Sequence, residues 1–141
     1  MRWRAAILDG SGGDSMGDLT KDFSRSEFAC KCGCGYDRID PRVVDLCQVI
    51  REALGAPVRI NSGCRCEKRN AEARGVKGSY HTKGMAADLS CEAGSQRLQA
   101  VARALFEAGK LPHLAYCKRY IQKNFVHIDC GHTRKNRFAK E

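Results

Sequence analysis

The sequence has few aromatic residues and no long hydrophobic run. Aromatic residues make up 7% of the 141 residues, and no stretch approaches the roughly 18 apolar residues of a membrane helix. Residues 1–8 are basic, but their apolar run Ala5–Leu8 is shorter than the roughly 7–15 residues of a signal peptide core. We therefore expect a protein that is made in the cytoplasm without a signal peptide and has no membrane partner.

The composition is that of one globular domain with excess positive charge. Hydrophobic residues make up 43% and charged residues 29% of the chain, and the formal net charge is +9. Such a charge favours a polyanionic partner. Nucleic acid and anionic bacterial cell wall both fit, but the sequence contains no recognisable nucleic-acid-binding motif. We expect a monomer without a nucleic-acid partner.

Local patterns predict mixed helices and strands. Asp40 and Pro41 are good first residues for a helix that Gly55 ends, and Ser95 is the expected cap of a second helix over 95–108. A shorter helix is predicted over residues 67–74. The expected strands cover residues 57–61, 86–89, 113–117 and 124–130. Because helices and strands do not alternate regularly, the pattern predicts an α+β fold.

Composition also divides the chain into a leader, a domain and a tail. The segment Asp9–Ser15 is rich in glycine and serine, which predicts a flexible leader over residues 1–19. The patterned part covers residues 20–132 and is the expected domain. Residues 133–141 form a basic tail, for which a solvated terminus is one interpretation.

The last predicted strand carries two polar side chains on one face. Side chains alternate along a strand, so Val126, Ile128 and Cys130 point to one face, whereas His127 and Asp129 point to the other. By itself, this pattern also fits an ordinary strand with a half-exposed polar face.

Residues 79–88 add a histidine and a carboxylate. His81 and Asp88 are separated by a glycine and two alanines, which allow close approach of the backbone. Imidazole nitrogen and carboxylate oxygen are both zinc ligands. With His127 they form a set of three protein ligands that leaves a fourth position for water, as in catalytic zinc sites.

These motifs resemble a known family. Ser-x-His-x-x-Gly-x-x-x-Asp at residues 79–88, followed by Val-His-x-Asp at residues 126–129, is similar to the zinc D-alanyl-D-alanine metallopeptidases. That group includes D,D-carboxypeptidases, peptidoglycan endopeptidases and phage endolysins, and its fold also occurs in the hedgehog signalling domain. The resemblance covers about residues 20–132 and implies a small antiparallel sheet with helices packed on it.

The resemblance implies roles for four residues. His81, Asp88 and His127 would bind zinc, and Arg65, in a strand-turn segment similar to the family's, would bind the substrate carbonyl or its oxyanion. Several members place an acid three residues before the last histidine as the base, but this chain has Asn124 there. The remaining local candidate is Asp129, either as the base or as a residue that orients a metal-bound imidazole.

The nine cysteines permit several interpretations. Five of them fall in two loops: Cys30, Cys32, Cys34, Cys64 and Cys66. They could form a second, structural metal site, form one or two disulfides if the protein is exported, or remain free thiols.

The leading functional hypothesis is a zinc peptidase that hydrolyses peptidoglycan stem peptides or cross-links. Acting at the cell wall without a signal peptide would suit a phage or prophage lysis enzyme. One alternative, supported by Asn124, is an inactive metal-containing binding module for the cell wall. Nucleic-acid binding is a third hypothesis and rests on charge and cysteine content alone.

Overall fold

The computed structural model describes residues 17–133 and 136–141. Its helices are α1 (Arg25–Phe28), α2 (Pro41–Leu54), α3 (Glu67–Glu72) and α4 (Ser95–Glu107), with a 3-10 helix at Tyr80–Lys83. Its strands are β1 (Arg59–Ser62), β2 (Ala86–Ser90), β3 (Tyr116–Tyr120), β4 (Phe125–Asp129) and β5 (Phe138–Lys140). Among the described helices, none has the length and apolar character to cross a membrane.

Helix α2 begins and ends where the sequence predicts. The Asp40 carboxylate accepts a hydrogen bond from the backbone nitrogen of Arg42 at 2.8 Å, which satisfies one of the free amides of the first turn. Pro41 is the first helical residue. Gly55 ends the helix in the left-handed region, with φ 69°, a conformation that glycine adopts without steric cost.

Helix α4 differs from the prediction at its first turn. Gly94 is the N-cap and Ser95 is already helical. The backbone nitrogen of Ser95 donates to the side-chain oxygen of Asn124 at 2.8 Å. The expected cap residue was therefore wrong by one position, because a side chain 29 residues away satisfies the amide that Ser95 was expected to leave free.

The strands form one sheet in the order β1-β2-β4-β3-β5. The pairs β1–β2, β2–β4 and β3–β4 are antiparallel, as expected, whereas β5 runs parallel to β3. In the centre of the sheet, Asp88 of β2 pairs directly with His127 of β4. The architecture is an α+β fold, as predicted.

The core lies between the helices and one face of the sheet. Val43 and Ile50 of α2 and Leu98 of α4 are buried there, together with Val126 and Ile128 of β4. The alternation predicted for β4 is confirmed, so His127 points to the opposite face. That face carries the candidate site.

The largest departures from the predicted boundaries are at β3 and β5. Strand β3 begins at Tyr116 rather than at residue 113, and His113 is an exposed loop residue. Strand β5 falls within the basic tail predicted over residues 133–141, and Phe138 packs edge-on against Phe106 of α4 with ring centroids 5.9 Å apart. The tail therefore extends the sheet rather than remaining solvated where it is described.

The predicted leader over residues 1–19 falls mostly outside the described residues. At its end, Leu19 packs against the core, and its backbone nitrogen donates to the carbonyl oxygen of Phe23 at 3.0 Å. The ordered domain therefore includes residues somewhat earlier than position 20.

Candidate metal centre and substrate cleft

Three different elements position the predicted metal ligands. Asp88 and His127 lie side by side on β2 and β4. His81 lies in the 3-10 helix, where the Ser79 hydroxyl accepts a hydrogen bond from the backbone nitrogen of His81 at 3.1 Å. Gly84 ends this helix in the left-handed region, with φ 70°. Neither a single strand nor a single loop could bring these three side chains together.

The ligand atoms converge on the Asp88 carboxylate. Its Oδ1 lies 3.1 Å from His81 Nε2 and 3.1 Å from His127 Nδ1. The three candidate ligand atoms all lie within 4.8 Å of one another. His81 and Asp88 are buried and His127 is partly buried, so the group lies at the base of a cleft.

The hydrogen bonds behind the two histidines select their tautomers. His81 Nδ1 donates to the carbonyl oxygen of Gly63 at 2.7 Å, and His127 Nε2 donates to Asp129 Oδ2 at 2.7 Å. In the neutral rings, the nitrogens that face Asp88 therefore carry lone pairs. Two lone pairs and a carboxylate oxygen repel one another unless a proton or a cation lies between them. This donor set fits zinc, which prefers imidazole and carboxylate ligands.

The ionisation of the group reflects this crowding. Burial raises the pKa of Asp88, but hydrogen bonds with His127 and His81 outweigh it and hold the pKa well below its usual range. Burial lowers the pKa of His127, but hydrogen bonds with Asp129 and Asp88 outweigh it and raise the pKa to about 9. Both shifts favour a positive charge between His127 and Asp88, at the place that a cation would take.

Arg65 also lies at the site. Its Nη2 is 3.2 Å from Asp88 Oδ2, and its Nε donates to the Ser62 hydroxyl at 3.0 Å. Burial lowers the pKa of this guanidinium, but arginine stays charged at neutral pH. These two contacts and a third to Asn70 use three of its five N–H donors, so others remain for a ligand.

Asn70 and Gly75 hold Arg65 in place. Asn70 is buried, its Oδ1 accepts from Arg65 Nη1 at 3.1 Å, and its Nδ2 donates to the carbonyl oxygen of Val76 at 2.9 Å. A Cβ atom at Gly75 would lie 2.1 Å from Asn70 Oδ1 and 2.9 Å from Arg65 Nη1. Only glycine leaves room for this pair.

Asp129 lies behind His127 rather than beside Asp88. Its side chain is fully buried, and each carboxylate oxygen accepts two hydrogen bonds. Oδ1 accepts from the backbone nitrogens of Gly131 at 3.1 Å and His132 at 3.0 Å. Oδ2 accepts from His127 Nε2 and from His132 Nδ1. These contacts orient both imidazoles.

His132 is the residue that sequence patterns did not bring to the site. It follows β4 in a loop, outside the two motifs that carry the predicted ligands. In the structure, its ring lies between those of Tyr80 and Tyr116, at centroid distances of 4.7 and 4.6 Å. Its separation from Asp129 by three residues was the one local signal for their contact.

Comparisons with known proteins identify the family. The family model for Peptidase M15 matches residues 21–129. The chain belongs to the Peptidase M15 family. The predicted resemblance to the zinc D-alanyl-D-alanine metallopeptidases is confirmed, and the M15 family is zinc-dependent.

Curated M15 relatives carry a specific name. The peptidoglycan L,D-endopeptidase MepK of Escherichia coli K12 is 37% identical over 103 residues, which cover 68% of this chain and 53% of the relative. The MepK proteins of Escherichia coli O157:H7 and Shigella flexneri match equally. The chain spans about half the length of the curated relatives it matches.

The amide that replaces an expected acid in this M15 protein has a structural role. Asn124 has a positive φ of 58°, a conformation that asparagine tolerates better than most residues. Its side chain accepts the hydrogen bond from Ser95 that caps α4. Because the Asn124 side chain accepts this hydrogen bond, and an amide cannot take up a proton, position 124 does not supply a base.

The site opens into a cavity of about 400 Å³. Its wall includes the candidate ligands and His132, together with aromatic and basic side chains from several elements. The aromatic residues are Tyr80, Tyr116, Tyr120 and Phe125, and the basic ones beside Arg65 are Arg74, Lys118 and Lys123. Neither Glu67 nor His113 lines it. Such a wall suits an elongated ligand that carries negative charge.

Proposed function

We propose that the protein is a zinc-dependent peptidase that hydrolyses peptide bonds in bacterial peptidoglycan and acts at the cell wall. The observation that carries the proposal is the pair of imidazole lone pairs and the carboxylate oxygen that converge within 4.8 Å at the base of the cleft. His81, Asp88 and His127 are the proposed ligands. Membership in the M15 family supports both the reaction and the metal.

The charge of the cleft supports a peptidoglycan substrate. Three cationic side chains line it beside Arg65, whereas the acidic residues on its wall are Asp88 and Glu141. Stem peptides of peptidoglycan carry free carboxylates, which such a surface attracts. The aromatic side chains provide flat apolar surface for the aliphatic parts of the same peptide.

Zinc and Arg65 would act on different atoms. Bound zinc lowers the pKa of a coordinated water to near 7 and polarises a carbonyl group. Arg65 is held by three neutral or acidic partners, and its remaining N–H donors would bind the carbonyl oxygen as negative charge develops there. A donor that is fixed before the reaction stabilises such charge without reorganisation.

Of the two roles open to Asp129, the contacts favour positioning. Both of its oxygens already accept two hydrogen bonds, and the side chain is fully buried. It would hold the His127 tautomer that presents Nδ1 to the metal. It also accepts from His132 Nδ1, which leaves His132 Nε2 as an acceptor. Since His132 lines the cavity, we assign the acceptance of a proton from the attacking water to this atom.

The relatives suggest which bond is cut. The curated relatives are named peptidoglycan L,D-endopeptidases, so we propose an L,D bond within peptidoglycan rather than a terminal D-Ala-D-Ala bond.

The decisive experiment is digestion of purified peptidoglycan, with mass analysis of the released fragments. We expect fragments cut at an L,D bond, loss of cleavage after treatment with a chelator, and recovery when zinc is added. Release of D-alanine alone would instead assign a D,D-carboxypeptidase. An intact, zinc-loaded protein that binds the wall but releases no fragment would refute the catalytic proposal.

A matched histidine pair tests the proposed base. His132→Ala should retain zinc but lose most turnover, since general acid–base catalysis contributes about 10²–10⁴-fold. His113→Ala removes an exposed histidine that does not line the cleft and should leave turnover unchanged. Equal activity of the two variants would exclude His132 as the base.

A further inference from the structure

Four cysteine sulfurs lie together at a place remote in sequence from the M15 ligands. We call this group the cysteine cluster: Cys30, Cys32, Cys34 and Cys66. Their sulfur atoms all lie within 4.8 Å of one another. We propose that the cysteine cluster binds a second zinc ion, which holds the Arg65 loop in place.

The sulfur spacings are those of a tetrahedral metal site. Cys30 Sγ lies 3.5 Å from Cys32 Sγ and 3.8 Å from Cys66 Sγ, and the last two are 3.6 Å apart. Zinc–thiolate bonds of about 2.3 Å in a tetrahedron place the sulfurs about 3.8 Å from one another. A disulfide requires about 2.05 Å and joins two sulfurs, whereas here four converge. Four thiolates in a tetrahedron are typical of zinc or iron–sulfur sites, and zinc is the ion of structural four-cysteine sites.

The backbone is shaped to bring three of these sulfurs together within five residues. Gly33 and Gly35 have φ of 83° and 93°, which only glycine adopts readily. The Gly33 nitrogen donates to the carbonyl oxygen of Cys30 at 3.2 Å. On an extended chain these alternate cysteines would share one face but lie about 7 Å apart, so the tight turn is what draws their sulfurs to one centre.

Backbone amides already point at two of the sulfurs. The backbone nitrogen of Cys66 donates to Cys30 Sγ at 3.4 Å, and that of Arg69 donates to Cys66 Sγ at 3.4 Å. Hydrogen bonds of this kind orient metal ligands and stabilise the charged thiolate. Both sulfurs therefore have the support expected of ligands rather than of unpaired thiols.

The position of the cluster explains what the metal would do. Cys66 is adjacent to Arg65, and the preceding Cys64 donates from its nitrogen to the carbonyl oxygen of Phe28 at 2.8 Å. A zinc ion would fasten the loop after β1 to the turn at residues 30–35. Arg65 faces Asp88 from this loop. It would then be held by its own side-chain contacts and by the zinc-bound Cys66 that follows it in the chain.

Metal analysis of the reduced, full-length protein tests the proposal without an activity assay. We expect about one zinc equivalent per chain at each site. The double variant Cys32→Ser/Cys34→Ser changes two exposed residues and should lose about one equivalent, as should His81→Ala at the other site. Cys91→Ser, a partly buried cysteine outside the cluster, should retain both.

Cobalt substitution provides a readout that does not depend on any variant. Cobalt in the cysteine cluster should give intense sulfur-to-metal charge-transfer bands, which the histidine and carboxylate site cannot produce. Absence of these bands in the wild-type protein would overturn the proposal. So would bound iron, or a disulfide between cluster cysteines in non-reducing mass analysis.

The effect of the second zinc ion on Arg65 rests on the proposed function, so it is tested separately by measuring turnover. If the cluster holds Arg65, Cys32→Ser/Cys34→Ser should lower turnover while zinc remains at the His81 site. If this double variant loses one zinc equivalent but keeps its turnover, the second zinc site is supported and its effect on Arg65 is refuted. Failure of all variants and the wild type to cleave peptidoglycan would bear on the proposed function alone.

Discussion

The substitution Asp129→Asn tests how this carboxylate serves the metal site. Asparagine keeps the size of the side chain but replaces one acceptor oxygen by an NH₂ donor. Oδ1 faces two backbone N–H groups, of Gly131 and His132, which cannot act as acceptors. The amide oxygen should therefore remain on that side, and the NH₂ group should face His127 Nε2.

This exchange reverses the hydrogen bond on which the metal ligand depends. His127 Nε2 must now accept, so the proton of the neutral ring moves to Nδ1, the atom that faces Asp88 at 3.1 Å. A protonated nitrogen cannot bind zinc. Turning the amide over instead would set its NH₂ group against two buried N–H donors, at about 1–3 kcal/mol for each unsatisfied group.

We expect Asp129→Asn to weaken zinc binding by about 10–100-fold, as other substitutions behind metal-bound histidines do. That loss corresponds to about 1.4–2.8 kcal/mol. Competition with a chromogenic chelator measures the zinc affinity. The measurement uses the Cys32→Ser/Cys34→Ser background, so that only the zinc site at His81, Asp88 and His127 contributes to the signal. Asp45→Asn, which removes an exposed carboxylate from α2, is the matched control.

Two outcomes would refute this reasoning. Normal zinc affinity combined with loss of turnover would place the effect of Asp129 on proton transfer rather than on the metal, either as the base itself or through the His132 ring that it orients. Normal affinity and normal turnover would show that the tautomer of His127 does not depend on Asp129. Thermal unfolding of each variant separates both outcomes from a general loss of structure.

Four further substitutions test the remaining elements of the site and fold. Arg65→Ala should retain zinc and lower turnover by about 10²–10³-fold, the usual effect of removing one donor to developing charge; wild-type turnover would contradict this. His81→Ala should lose the cleft zinc by metal analysis, and undiminished zinc there would reject it as a ligand. Gly75→Ala should displace Asn70 and lower turnover with zinc retained, whereas an unchanged rate would show that the pair can shift freely. Asp40→Ala should lower the free energy of unfolding by about 1 kcal/mol in denaturant titration, and no change would mean that this cap is dispensable.

Local signals account for what could be predicted. The cap at Asp40, the stop at Gly55 and the alternation in β4 depend on neighbouring residues, and each is present as expected. The convergence of His81, Asp88 and His127 was accessible because the motif resembles a known family. Periodicity alone shows which face a side chain takes but not which strands are adjacent.

What could not be predicted depends on distant contacts. The role of Asn124 depends on a helix that begins 29 residues earlier. The place of His132 depends on Tyr80 and Tyr116, which come from other elements. Strand β5 has only three residues, and its sequence reads as part of a basic tail until β3 provides a partner.

The parallel pairing of β5 has a consequence for the dynamics of the cleft. The chain leaves β4, passes beyond β3 and returns to the sheet at β5, so the segment that carries His132 is anchored at one end by a three-residue edge strand. Short edge strands open locally at lower free energy than central ones. Hydrogen exchange should therefore detect opening at β5 before β2 or β4. Each such opening would release Glu141, which follows β5 on the cleft wall, while His132 keeps its contacts with Asp129, Tyr80 and Tyr116. The acidic end of the cleft wall would then open at a lower free energy than the strands that carry the proposed metal ligands.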